Sequence, residues 1–127
     1  MMLFDTRFFI HLYHAKDANR RRGLTELARN SPERWVSVIT VYEVYAVSEE
    51  LEGREVAEMR VSLLCKDFRV KPVDTRIAKE AAELNHDRKV PMADALIGAT
   101  ARALSTACVT DDPHFKAIDG VRTKWVS

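Results

Sequence analysis

Met2-Leu3-Phe4-Asp5-Thr6-Arg7-Phe8-Phe9-Ile10 decides how the chain is read. Met2 to Phe4 is a short apolar run of strand character, and Asp5 follows it with no spacer. From Phe8 to Asn19 the apolar residues return at helical spacing, so the stretch reads as strand, acid, helix. The same alternation continues outward. Trp35 to Val38, Phe68 to Val70 and Thr106 to Val109 read as further strands, with a weaker run at Thr123 to Val126. Gly23 to Asn30, Val41 to Leu51, Glu55 to Lys66, Ile77 to Asp87 and Ala93 to Leu104 read as helices between them. Ile77, Ala81 and Leu84, and again Ile97, Ala101 and Leu104, recur at i, i+4 and i+7, which gives each helix one buried stripe. Short strands alternating with amphipathic helices predict an α/β protein with a parallel sheet covered on both faces.

Composition sets the limits of that reading. The chain has 127 residues, 46% hydrophobic and 31% charged, with 20 Lys+Arg against 19 Asp+Glu. This predicts a single domain over residues 1–127, large enough to bury a core without disulfides or a structural metal. The apolar content excludes disorder. A net charge of +1 argues against a polybasic protein that holds nucleic acid by charge excess alone. Cys65 and Cys108 have no C-x-x-C spacing and read as reduced core thiols, which points to the cytoplasm. The apolar N-terminus is interrupted by Asp5 and Arg7 and has neither a basic leader nor a cleavage signal. No run approaches the roughly 18 to 20 apolar residues of a membrane span.

The acids carry the functional signal. Asp5 directly follows the first strand, Glu43 follows the second within one helical turn, and Asp112 lies just past the fourth. In an open α/β sheet, ligands bind beyond the carboxyl ends of the strands where the strand order reverses. Parallel strands would therefore place Asp5, Glu43 and Asp112 on one edge. Asp94 opens the helix before the fourth strand, and periodicity leaves it at either edge. Each acid also has an ordinary explanation. Thr40 with Glu43 matches a capping box, Asp112 before Pro113 matches an N-cap with proline at N1, and Asp5 caps a helix starting near Thr6. Asp94 suits a helix N-terminus through the macrodipole. Capping does not explain why these acids sit among apolar neighbours, where an unpaired carboxylate is costly.

Four segments in order resemble the motifs of PIN-domain nucleases, a family that includes the VapC-type toxins of toxin–antitoxin pairs. Leu3-Phe4-Asp5-Thr6-Arg7-Phe8-Phe9-Ile10 looks like the first motif and Ser37-Val38-Ile39-Thr40-Val41-Tyr42-Glu43-Val44 is similar to the second. Asp94 to Ala101 resembles the third, and Cys108-Val109-Thr110-Asp111-Asp112-Pro113-His114-Phe115 the fourth. The resemblance implies a three-layer α/β/α fold with a short, mainly parallel five-stranded sheet. It also implies a site of Asp5, Glu43, Asp94 and Asp112 around magnesium or manganese. Asp5 and Asp94 would hold the principal ion, while Glu43 and Asp112 orient waters or help hold a second. Thr6, Thr110 and Asp111 are supporting candidates. The family commonly has Asn or Ser two residues after the first aspartate, where this chain has Arg7. That guanidinium replaces a polar neighbour of the metal, reaches a substrate phosphate, or points away.

The residue types fit that chemistry. Clustered carboxylates need a compensating cation, because like charges at close range push pKa values up. Hard ions such as magnesium and manganese match a site made of Asp and Glu. Other readings fail on particular positions. No G-x-G-x-x-G or G-x-x-x-x-G-K-[ST] is present, a phosphoryl-aspartate D-x-D enzyme would need an acid where Arg7 stands, and His11 and His14 have no third ligand nearby. His86 and His114 carry no motif. Lys16, Arg20, Arg21 and Arg22 line the approach of an RNA backbone or form a solvated helix end. Phe8, Phe9, Tyr13, Tyr42 and Tyr45 read as core or interface. The expected function is a metal-dependent endoribonuclease, the toxin of a type II pair, with an RNA substrate, a small antitoxin partner and a homodimeric state. The alternatives are a non-catalytic PIN-fold module that binds RNA or protein, and a PIN nuclease of RNA processing or DNA flap cleavage.

Overall fold

The computed structural model describes residues 1–126. Its strands are β1 (Met2–Phe4), β2 (Arg34–Ser37), β3 (Arg69–Lys71), β4 (Cys108–Val109) and β5 (Thr123–Lys124). Its helices are α1 (Thr6–His14), α2 (Ala18–Arg29), α3 (Val38–Glu52), α4 (Arg54–Asp67), α5 (Thr75–Arg88) and α6 (Met92–Ala103), with a 3-10 helix over Pro113–Ala117. The strands form one sheet in the order β3-β2-β1-β4-β5, and every pairing is parallel.

Strand alternation sorts the core into two layers. Leu3, Trp35 and Cys108 pack with Ile77, Ala81 and Leu84 of α5 and with Ala95, Ile97, Ala99 and Ala101 of α6. Their chain neighbours Phe4, Val36 and Val109 face the other way, against Phe8 and Phe9 of α1, Leu24 of α2, Val44 of α3 and Leu64 of α4. Successive side chains of a strand leave opposite faces, so three-residue strands suffice to bind a helical layer on each side. The fold is the expected three-layer α/β/α architecture. Phe4, Phe8, Phe9 and Phe68 meet edge to face, with centroids 4.8 to 5.2 Å apart, the packing that aromatic quadrupoles favour.

The order of the sheet also locates its switch point. From β1 the chain moves outward to β2 and then β3, and later returns to the other side of β1 for β4 and β5. The crevice beyond the carboxyl ends of β1 and β4 is therefore where a ligand site is expected in such a sheet.

Several boundaries differ from the sequence reading. Val38 belongs to α3 and not to β2, because Ser37 Oγ accepts the Ile39 N–H at 3.1 Å and starts the helix there. Thr40 is consequently inside α3 and is not its cap. The first helical pair breaks at Ala15 to Asp17, where Asp17 caps α2 through the Asn19 N–H at 2.9 Å. Arg20, Arg21 and Arg22 thus lie in the first turns of α2 and do not end α1, so they gain nothing from a helix C-terminal dipole. Cys108 is buried as expected, but Cys65 is exposed on α4. Gly53 joins α3 to α4 at φ 93°, a left-handed geometry that a Cβ would strain. No helix among the described residues is long and apolar enough to cross a membrane.

Candidate active site

Asp5 stands at the switch point because β1 ends at Phe4 and α1 begins at Thr6. It is 1% exposed, yet both carboxylate oxygens are satisfied. Oδ1 accepts the Thr6 N–H at 2.7 Å, and Oδ2 accepts the Thr110 hydroxyl at 2.7 Å. The second bond crosses the β1/β4 crevice, since Thr110 directly follows β4. Burial pushes the Asp5 carboxyl up from 3.8 to about 6, against the opposing pull of the Thr110 and Thr6 hydrogen bonds; the charges of Glu43 and Asp112 push the same way as burial.

Glu43 reaches this centre from the first turns of α3. Its Oε1 accepts the Thr6 hydroxyl at 2.6 Å, and Thr40 Oγ1 lies 3.1 Å from the same hydroxyl. Thr40 and Glu43 are three residues apart on one helix face, so α3 presents a buried hydroxyl and a carboxylate together. Thr40 therefore supports the site, a role its apparent capping position had concealed.

Asp94 and Asp112 close the other side. Asp112 caps the 3-10 helix, its Oδ1 accepting the His114 N–H at 2.9 Å, while its own N–H donates to Thr110 Oγ1 at 3.0 Å. Asp94 lies in the first turn of α6, which resolves its edge: α6 brings it to the carboxyl end of the sheet. Burial pushes the Asp94 carboxyl up from 3.8 to about 7, followed by the charges of Asp112 and Asp5. His114 Nδ1 lies 2.8 Å from Asp112 Oδ1 and 3.3 Å from Asp94 Oδ2. Gly98 faces Ile118, just beyond the 3-10 helix, and a Cβ there would displace the end of the Ile118 side chain.

The crevice fits a divalent cation. Four carboxylates converge there, and burial, with their mutual repulsion second, raises Asp5 to about 6 and Asp94 to about 7. Asp94, Asp112 and His114 offer ligand atoms that all lie within 4.8 Å of one another. His114 lies within the fourth motif segment, but the sequence reading did not single it out as a ligand. Its signal was position, two residues past Asp112, where a capped turn folds the ring back over its own cap.

The remaining candidates separate from the centre. Asp111 Oδ1 accepts Arg7 Nε at 2.5 Å and Oδ2 accepts Arg7 Nη2 at 3.3 Å, while His11 Nε2 lies 3.1 Å from Oδ2. The Arg7 hydrogen bond holds the Asp111 carboxyl below the usual carboxylate range. Arg7 thus sits on the rim, paired, with a half-exposed side chain. Arg20 Nη2 approaches His11 Nδ1 at 3.4 Å and joins that rim. Arg21 instead donates to the Ala15 carbonyl at 2.7 Å, and Arg22 approaches Asn19 Oδ1 at 3.4 Å. Of the aromatics, Phe8 and Phe9 are core and Tyr42 is 72% exposed.

A family model described as the PIN domain matches residues 2–121. No curated protein sequence matches the chain. Among solved structures, it is similar to VapBC2 from Rickettsia felis bound to a DNA fragment from its promoter, at TM-score 0.79 and 16% identity, covering 99% of this chain and 98% of that one. A toxin–antitoxin complex from Klebsiella pneumoniae superposes at TM-score 0.74 and 25% identity, covering 95% of each chain. VapC20 from Mycobacterium tuberculosis, a toxin that cleaves the sarcin-ricin loop, superposes at TM-score 0.77 and 23% identity, covering 94% of this chain and 95% of that one.

Proposed function

The chain belongs to the PIN-domain family, and from that premise we propose that it is a metal-dependent endoribonuclease, the toxin of a type II toxin–antitoxin pair. The observation that carries the reading is the set of carboxylates Asp5, Glu43, Asp94 and Asp112 at the β1/β4 switch point, with two of them driven toward protonation by burial and by one another. Magnesium or manganese is the matching cofactor, since oxygen donors dominate the set.

Asp5, Asp94 and Asp112 would hold the ion, with Glu43 orienting water from the Thr6 side. Such an ion polarises a phosphoryl oxygen and lowers the pKa of bound water. The chain's own groups do the rest. Thr6 and Thr110 fix the rotamers of Glu43 and Asp5 by hydrogen bonds of 2.6 and 2.7 Å, so the oxygens do not reorganise when substrate arrives. Arg7, held on the rim by Asp111, offers its outer guanidinium edge to a phosphate of the RNA backbone. Arg20 extends that basic rim toward α2, where Arg21 and Arg22 continue it along the exposed surface.

A small antitoxin is the expected partner, because the similar structures from Rickettsia felis and Klebsiella pneumoniae are toxin–antitoxin complexes. A homodimer, a cytoplasmic location and one domain over residues 1–127 complete the proposal. Purified protein should cut a structured RNA in the presence of manganese or magnesium and leave a DNA of the same sequence intact. Expression in a bacterial host should arrest growth, and the Asp5→Asn protein should not. Intact RNA with either ion, or arrest that persists in Asp5→Asn, would refute the proposal.

A further inference from the structure

The acids of the crevice were legible as oxygen ligands, but His114 adds a donor of another kind. Its Nδ1 faces Asp112 Oδ1 at 2.8 Å and Asp94 Oδ2 at 3.3 Å. Two neighbouring ligands of an octahedral ion, each about 2.1 Å from it, lie about 3 Å apart. The nitrogen already stands at about that spacing from each carboxylate, and ligand atoms of all three residues lie within 4.8 Å of one another. The arrangement is built into the turn. Pro113 starts the 3-10 helix, the His114 N–H is tied to Asp112 Oδ1 at 2.9 Å, and Phe115 is fully buried beside it. The imidazole is thereby aimed inward although its side chain is 52% exposed.

We propose that His114 is a direct nitrogen ligand of the divalent cation in this crevice, forming an Asp94–Asp112–His114 face that favours manganese and the later first-row ions over magnesium. Imidazole is a softer donor than carboxylate and suits transition ions, whereas magnesium keeps to oxygen and to its waters. As a ligand the ring would offer its Nδ1 lone pair, the nitrogen that already faces both carboxylates. Asp5, tied to Thr6 and Thr110, would add its charge from the β1 side. The inference rests on the reading of the crevice as a cation site, and it assigns that site its metal preference.

Calorimetric titration of Mn2+ and Mg2+ into the full chain and into His114→Ala tests it, with pulsed EPR of the Mn2+-loaded proteins. Loss of even an outer hydrogen-bond partner weakens metal binding about 10- to 100-fold, so His114→Ala should lose at least roughly tenfold in Mn2+ affinity. Magnesium affinity should change less, and the Mn2+/Mg2+ ratio should fall. The wild-type spectrum should carry nitrogen hyperfine coupling from a bound imidazole, and the His114→Ala spectrum should not. His114→Asp should recover magnesium binding without the nitrogen signal. Wild-type protein that binds Mn2+ with no nitrogen coupling, or with an affinity unchanged in His114→Ala, would overturn the assignment while leaving the cation site in place. Wild-type protein that binds neither ion would overturn both.

Discussion

Asp111 and Asp112 are adjacent, and their surroundings are opposite. Asp111 turns outward to the rim, where Arg7 and His11 meet it and its carboxyl is held low. Asp112 turns inward to Asp94 and Asp5, two carboxyls raised to about 7 and about 6. The rim is an ion pair that is already complete. The crevice is a concentration of negative charge that the chain does not neutralise. On the proposed reading, Asp111, already paired by its own chain, serves position, whereas the crevice acids would recruit a cation.

The largest expected effect breaks the crevice side of this contrast. Asp5→Asn keeps the shape and removes a charge at the switch point, and RNA cleavage should fall by about a thousandfold or more, measured on a labelled RNA under saturating manganese. Next comes a pH effect. Between about pH 4 and 7 the folded, metal-free protein holds protons on Asp5 and Asp94 that the unfolded chain releases, so stability should fall as pH rises through that window. For Asp5 alone, a shift from 3.8 to about 6 corresponds to about 3 kcal/mol. Thermal melts should therefore give a lower Tm at pH 8 than at pH 5 in EDTA, and manganese should reverse the order. A Tm unaffected by pH would mean that the carboxyls are not raised by burial and by their neighbours.

Thr110→Val is a subtler change. It removes the hydroxyl that favours the charged form of Asp5, and a hydrogen bond to a charged group contributes about 1.5 to 3 kcal/mol. Manganese affinity at pH 7 should drop roughly tenfold by calorimetry. The smallest effect sharpens the rim side. Asp111→Asn frees Arg7 without touching the crevice, and an exposed pair is worth up to about 1 kcal/mol. KM for RNA should rise a fewfold with kcat and manganese affinity unchanged. A large loss of manganese affinity in this variant would place Asp111 among the ligands and erase the contrast.

The fold was legible because the apolar residues at β1, β2 and β4 alternate with helices of clear periodicity, a local signal. Asp5, Glu43 and Asp112 were legible for the same reason, being fixed to the ends of β1, β2 and β4. What escaped depends on contacts through space. Asp111 could not be told from Asp112, because the side chains that claim it, Arg7 and His11, lie about a hundred positions away on α1. Val38 was assigned to a strand because β-branched residues favour strands, but the Ser37 cap decides otherwise. Thr40 matched a capping box from which the true helix start removes it. His114 acquires its meaning only when α6 delivers Asp94 to the same turn.

Cleavage of labelled RNA across a manganese titration, with wild-type and Asp94→Asn protein side by side, tests the central claim most directly. Wild-type protein should be inactive in EDTA, rise with manganese and saturate, and Asp94→Asn should stay near background throughout. Undiminished cleavage in excess EDTA, or equal activity in the two proteins, would contradict the assignment of the β1/β4 crevice as the metal-dependent active site.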